Sequence, residues 1–242
     1  VTGPDGRRQV LVTRAAEDCP PLEELLRARG FAPVRMPCIA IEDLPWALTE
    51  PPDFVVVASP HAARRLRARL PAGLPGARFA AVGEATAAAL GLPSVLVPAT
   101  GSGAEALLRT LAPLVRGKTV LLPRAEEGNP ALAAGLAAAG ARVISVALYR
   151  TVAAPSADPA VLALLRAGPI SAVAFASGSA ARGFVALAGA GAAAALSVAC
   201  MGRLCADEAR KAGLRVDAVA DGGLPSLCDA IEAALALRQA LR

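Results

Sequence analysis

Val10-Leu11-Val12-Thr13-Arg14 returns 110 residues later as Val120-Leu121-Leu122-Pro123-Arg124, and the same offset carries Leu22 to Leu132, Leu26 to Leu136 and Gly30 to Gly140. Phe54-Val55-Val56-Val57-Ala58-Ser59 is answered 118 residues on by Ala172-Val173-Ala174-Phe175-Ala176-Ser177, and Ala81-Val82-Gly83 is answered 119 on by Cys200-Met201-Gly202. One such match could arise by chance in Ala-rich sequence, but an ordered series describes a duplicated unit and hence two similar domains. Each repeated run is short and apolar and is followed by an Ala/Leu/Arg-rich stretch of helical length. That alternation is the pattern of parallel strands covered by helices, so the fold class read from the sequence is α/β. Strands are expected at residues 9–13, 32–37, 54–58, 78–82, 94–97, 119–122, 142–146, 172–176, 197–201 and 215–218. Helices are expected near 21–29, 60–69, 84–90, 104–111, 130–139, 161–167, 180–188, 205–212 and 225–238.

Composition narrows the function classes. With 242 residues, 55% hydrophobic and 19% charged, the chain can bury ample apolar surface, which excludes disorder. No stretch reaches the ~18 consecutive apolar residues of a membrane span, and the opening residues show no secretory signal pattern. A cytoplasmic protein without membrane association is expected. The five cysteines form no C-x-x-C pair, and His61 is the only histidine, so they read as reduced core thiols and no metal site is expected. A net charge of +5 comes from scattered Arg and Lys with only 3% aromatics, which argues against nucleic acid and for an anionic small molecule.

The repeated motifs fall where a strand ends and a helix begins, the position at which open α/β sheets bind ligands. Ser59 before Pro60, and Ser177-Gly178-Ser179 before Ala180, suit helix N-caps, and capping accounts for serines at such places on its own. The N–H groups of a helix start, backed by the helix dipole, also attract carboxylates and phosphates. Gly83, Gly202 and Gly101-Ser102-Gly103 extend the same idea, because Gly permits close backbone approach. Together these segments describe a site ringed by helix N-termini and suited to a polyanion. No G-x-S-x-G, G-x-G-x-x-G or phosphate loop of the G-x-x-x-x-G-K-[ST] type appears. His61, second in a helix, reads as a solvated surface group. Tyr149, the only tyrosine, is expected at a strand end, where it serves as a packing residue or as a donor of a proton to a leaving oxygen.

In this order the motifs resemble uroporphyrinogen-III synthase. The resemblance covers nearly the whole chain, through Leu11-Val12-Thr13-Arg14, residues 53–59, Ala81-Val82-Gly83, residues 119–124, Leu148-Tyr149-Arg150-Thr151, Phe175-Ala176-Ser177-Gly178-Ser179, Met201-Gly202 and Pro225-Ser226. It implies two similar α/β domains with parallel sheets, joined by a two-stranded ladder, with the active site in the cleft between them. Residues 1–37 and 155–242 would form one domain and 47–145 the other, with 38–46 and 146–154 connecting. The implied reaction closes hydroxymethylbilane into uroporphyrinogen III, inverting the last pyrrole ring and losing water, with no cofactor or metal. Tyr149 then takes the place of the family tyrosine that assists departure of the hydroxyl. Arg14, Ser59, Gly83, Ser102, Arg124, Ser177, Gly178, Ser179, Gly202 and Leu204 fall on segments implied to hold the substrate.

Two departures stand out. Ala58-Ser59 and Ala176-Ser177 replace the usual Thr-Ser, and Gly202-Arg203-Leu204-Cys205 replaces Gly-Pro-Thr-Thr. A catalytically silent tetrapyrrole-binding or regulatory module is therefore the alternative to an active enzyme, and a two-domain sugar- or nucleotide-binding protein ranks third. The expected partner is the small-molecule substrate alone, bound by a monomer.

Overall fold

A computed structural model describes residues 6–70, 74–101 and 103–240. In chain order its elements are β1 (Gln9–Val12), α1 (Cys19–Ala28), β2 (Ala32–Arg35), β3 (Ile39–Asp43), β4 (Phe54–Val57), α2 (Pro60–Arg69), β5 (Arg78–Ala81), α3 (Glu84–Leu90), β6 (Val95–Leu96) and α4 (Gly103–Leu111). There follow β7 (Thr119–Ala125), α5 (Ala131–Ala138), β8 (Arg142–Ala153), α6 (Pro159–Ala167), β9 (Ile170–Phe175), α7 (Gly178–Ala188), β10 (Ser197–Met201), α8 (Arg203–Lys211), β11 (Ala218–Ala220) and α9 (Gly223–Ala240). The chain divides into two compact units, a discontinuous one of Val1–Ile41 with Thr151–Arg242 and an inserted one of Glu42–Arg150.

In the discontinuous unit five parallel strands lie in the order β11-β10-β9-β1-β2. Its strands are apolar without a polar alternation because both faces are covered. Leu11, Val173, Phe175, Val198 and Cys200 pack with Phe184 of α7 and Cys205, Ala206 and Ala209 of α8. Val10, Val12, Ala172, Ala174 and Ala199 point the other way, onto Leu22 and Leu26 of α1 and Leu227, Ile231 and Leu235 of α9. Side chains alternate across a strand, so one run of small and branched residues serves two cores. The buried Glu23 of α1 is clamped by Arg35 at 2.6 and 2.8 Å, and that guanidinium holds its carboxyl below the usual carboxylate range.

The inserted unit has a sheet in the order β3-β8-β7-β4-β5-β6. Phe54, Val56, Ala80, Val120 and Leu122 pack on Leu107 and Leu111 of α4 and Leu132 and Leu136 of α5. Helices α2 and α3 pack on each other and against β4, β5 and β7.

Matching the sequence repeat to the sheets gives one order twice. If β7 answers β1, β4 answers β9 and β5 answers β10, then β8-β7-β4-β5-β6 is the counterpart of β2-β1-β9-β10-β11. The duplication inferred from short motifs is thus present in strand neighbourhood as well, with β3 added at one edge. In each sheet the order reverses between the paired strands β1 and β9, or β7 and β4, and such a switch point leaves a crevice beyond the strand ends.

Two expectations change. The strand expected at 142–146 is twelve residues long and runs to Ala153, which puts Tyr149 inside β8 rather than at a strand end. The strand expected at 215–218 begins only at Ala218. Asp217, on the expected strand, instead accepts hydrogen bonds from Val198 N at 2.8 Å and from Arg215, tying the loop to β10.

Candidate functional site

The end of β4 delivers Ser59 to the start of α2, and the end of β9 delivers Ser177 to the start of α7. The two serines adopt nearly the same backbone angles, φ −155° and ψ 150° against φ −154° and ψ 155°. Each accepts a hydrogen bond from the third residue on, Ala62 N at 3.1 Å and Ala180 N at 3.2 Å. Both serines are therefore N-caps, which leaves the N–H of His61 in α2, whose first residue Pro60 has none, and those of Gly178 and Ser179 in α7 outside the intrahelical ladder.

In the inserted unit these positions open onto a cavity of about 370 Å³. Ser59, Arg124 and Tyr149 line it beside an apolar wall that includes Val82, Leu122 and Leu132. Tyr149 is 7% exposed, and its hydroxyl lies 3.2 Å from Ser59 Oγ. Its hydroxyl is thus hydrogen-bonded within the fold. Arg124 donates to the carbonyls of Ala125 and Gly128, so its guanidinium shapes the loop after β7 as it borders the cavity. Gly83 caps α3 from just beyond Val82, with φ 176°. Any residue adopts that extended conformation, and a Cβ there would meet nothing of the chain itself within 4 Å. Ser102 lies outside the described residues.

His61 departs from its expected place as a solvated surface group. It is half-buried, with its ring centroid 5.6 Å from that of Tyr149. One turn further along α2, the Arg65 guanidinium lies 5.0 Å from the Tyr149 ring centroid and bonds Asp43 of β3 at 2.5 Å. Neither Arg65 nor Asp43 was singled out by the sequence, although the His61-to-Arg65 spacing of four places both on one helical face.

In the discontinuous unit, Ser177, Gly178 and Ser179 form the start of α7, where Ser177 Oγ also meets Ser179 Oγ at 3.1 Å. A Cβ at Gly178 would come within 2.6 Å of the Glu208 side chain, so glycine there lets α7 approach α8. Lys211 beside Glu208, reinforced by Arg182, holds that carboxyl below its usual range. Gly202 caps α8 with φ 79°, a conformation that favours glycine. It borders a cavity of about 630 Å³ with Arg203, Asp207, Arg210 and Asp221. Leu204 is 84% exposed on the first turn of α8. Cys205, by contrast, is buried and its thiol donates to Phe175 O at 3.4 Å. Arg14, just past β1, pairs with Asp18 at 3.8 Å.

Among the described residues no group of three or more His, Cys, Asp or Glu could hold a metal ion, and no helix is long and apolar enough to cross a membrane. What the arrangement offers chemically is hydrogen-bond donors at helix starts, arginines beside cavities, and one phenol paired with a serine hydroxyl.

Comparison with known proteins bears on these features. A family profile described as uroporphyrinogen-III synthase HemD matches residues 20–223. The fold is similar to that of uroporphyrinogen-III synthetase from Helicobacter pylori, at a TM-score of 0.60 and 19% identity, covering 97% of this chain and 100% of that one. It is also similar to that of a mutant uroporphyrinogen III synthase from Thermus thermophilus, at a TM-score of 0.51 and 23% identity, covering 95% and 99%. No curated protein gives a significant match.

Proposed function

The chain belongs to the uroporphyrinogen-III synthase family, and from that membership we propose that it closes hydroxymethylbilane into uroporphyrinogen III, inverting the last pyrrole ring and releasing water. Loss of the substrate hydroxyl leaves an electrophilic azafulvene, which the inverted ring attacks through a spiro intermediate. The first step is eased by a proton donor at the departing oxygen. Tyr149 is proposed for that role.

The observation that carries the proposal is the Tyr149–Ser59 hydroxyl pair on the wall of the 370 Å³ cavity. A phenol hydrogen-bonded to a second hydroxyl can give its proton to the departing hydroxyl, which leaves as water, while the phenolate left behind accepts a hydrogen bond from Ser59 until the proton lost by the substrate on ring closure restores it. The substrate bears an acetate and a propionate on every pyrrole, and helix starts with N-capping serines suit carboxylates. Ser59, Gly83, Ser102 and Arg124 are proposed to contact it from the inserted unit, and Arg14, Ser177, Gly178, Ser179, Gly202 and Leu204 from the discontinuous unit.

The silent-module reading draws on the exposed Leu204 in place of a family threonine. The burial of Cys205 weighs against it. A side chain at that position turns into the core and bonds Phe175 O, so a thiol there replaces a hydroxyl without altering a ligand-facing surface.

The test supplies freshly prepared hydroxymethylbilane and measures the ratio of isomer III to isomer I, since spontaneous closure gives isomer I. Predominant isomer III is expected. Tyr149→Phe should keep the fold and slow isomer III by about 10²-fold or less, general acid assistance being worth typically 10²–10⁴. Isomer I alone from the native chain would refute the enzyme reading, and an undiminished Tyr149→Phe rate would refute the role of the phenol.

A further inference from the structure

We infer that Arg65 is a positioning residue for Tyr149, fixing the phenol against its cavity; the inference rests on the proton-donating role proposed for Tyr149. Three groups border this ring, and a fourth holds one of them in place. Arg65 and His61 come from α2, Ser59 caps that helix, and Asp43 of β3 secures Arg65.

Arg65 is itself held. Its Nε donates to Asp43 Oδ1 at 2.5 Å, and its Nη1 lies 3.3 Å from His61 Nδ1 and 3.5 Å from His61 O. Its side chain is only 15% exposed. A planar guanidinium fixed at several donors has spent its rotamer freedom before any ligand arrives, and so presents a rigid face to the ring. The guanidinium carbon lies 5.0 Å from the ring centroid, within the range of cation–π attraction.

The ring needs such a support. Tyr149 lies on β8, where its backbone is fixed by the hydrogen bond from Glu126 N to its carbonyl at 2.8 Å. Rotation about the bond to the ring is soft, and backbone bonds do not restrain it. The hydroxyl meets Ser59 at one end, while Arg65 and His61 border the ring itself. Among the described residues, the charged and titratable side chains at this locus include Arg65 and His61 from α2, Asp43 from β3, and Arg124 from β7 across the shared cavity. Arg65 thus acts through Tyr149 rather than on the substrate.

The experiment measures kcat and KM for isomer III formation in Arg65→Met, Arg65→Lys and Asp43→Asn, each alone and with Tyr149→Phe. It also follows the ring signals of Tyr149, the only tyrosine, by NMR of ring-labelled protein. Methionine keeps length and helix propensity while removing the cation. Arg65→Met should lower kcat about tenfold with KM within about twofold, as the loss of one partly buried cation–π contact implies. Arg65→Lys should recover part of that loss, and Asp43→Asn should act in the same direction with smaller effect. In the Tyr149→Phe background the Arg65 effect should largely vanish, because the two then act as one unit.

A raised KM with unchanged kcat would make Arg65 a carboxylate receptor and overturn the inference. Equal losses in both backgrounds would overturn it too. If Tyr149→Phe alone runs at the full rate, the proton-donor reading fails, and the NMR arm still decides positioning. Faster ring flipping in Arg65→Met sustains it, and unchanged ring signals refute it.

Discussion

Ser59 and Tyr149, 90 residues apart in the chain, meet through their hydroxyls at 3.2 Å, and the same Ser59 oxygen accepts the capping hydrogen bond from Ala62 N at 3.1 Å. A hydroxyl has one proton and two lone pairs, enough for both contacts at once. One oxygen therefore ties the start of α2 to the proposed proton donor.

Ser59→Ala should cost about 1 kcal/mol of stability through the lost cap and should also slow formation of isomer III. Ser59→Asn separates the two roles, since Asn caps well. Urea unfolding beside the rate assay should show stability restored while the rate stays low. Recovery of both in Ser59→Asn would reduce Ser59 to a cap.

Gly183 of α7 packs against the chain after β2, where an added Cβ would lie 2.0 Å from Cys38 O. Gly183→Ala should therefore destabilise by about 1–3 kcal/mol, although alanine favours a helix by roughly 1 kcal/mol. Gly135→Ala is the contrasting case. Its Cβ would meet the Leu108 Cδ2 tip at 2.2 Å, and that flexible side chain can turn away. Thermal unfolding should show the first variant falling well below the second, and equal midpoints would contradict the backbone clash.

All five thiols are free and buried. Burial pushes Cys19 up to about 11 and Cys38 up to about 12, from an ordinary 9.0. Thiolate is the reactive form, so native protein should react with a thiol reagent at pH 8 far more slowly than urea-unfolded protein, which should release all five. The same shifts have a stability sign. These groups stay protonated in the fold while the unfolded chain ionises, so their contribution is intact below pH 9 and is lost as the pH rises through about 11 and then about 12. Unfolding free energy measured from pH 8 upward should fall over that window, less steeply in Cys38→Ala than in the native chain.

Leu204→Thr should change the isomer III rate by less than about tenfold, since a helix start binds anions through backbone N–H groups that any residue but Pro supplies. The comparison is the isomer ratio of the native chain beside that of Leu204→Thr with Cys205→Thr. Isomer I from the first and isomer III from the second would sink the backbone argument.

Much of this was legible in the sequence, and the physics explains which parts. Val10-Leu11-Val12 and Phe54-Val55-Val56-Val57 are read as strands because central parallel strands are apolar on both faces. The start of α2 at Pro60 follows from a serine cap and a proline at the first helical position. β8 outran its expected end because Ser145, Arg150 and Thr151 break the apolar run, as expected where part of a strand is exposed. β11 slipped because Asp217 spends its carboxylate on Val198 N, a use that composition does not reveal. At the site, the serine caps are local and could be foreseen. The meeting of Tyr149 with Ser59 and Arg65, and of Arg65 with Asp43, depends on β8 and β3 lying in one sheet with β4, a long-range fact that no window of sequence contains.

The place of β1 between β2 and β9 governs the order in which a growing chain can mature on the ribosome. β1 pairs early with β2, but its other neighbour is synthesised far later, as the Thr13 bond to Ala174 across 161 residues records. Meanwhile β4 to β7 and their helices are complete and can fold on their own schedule. A nascent chain of intermediate length therefore carries a finished unit beside an apolar strand with one bare edge, and such an edge pairs readily with strangers. Only pairing with β9 closes that edge, so translation pausing before residue 170 would lengthen the time it stays bare.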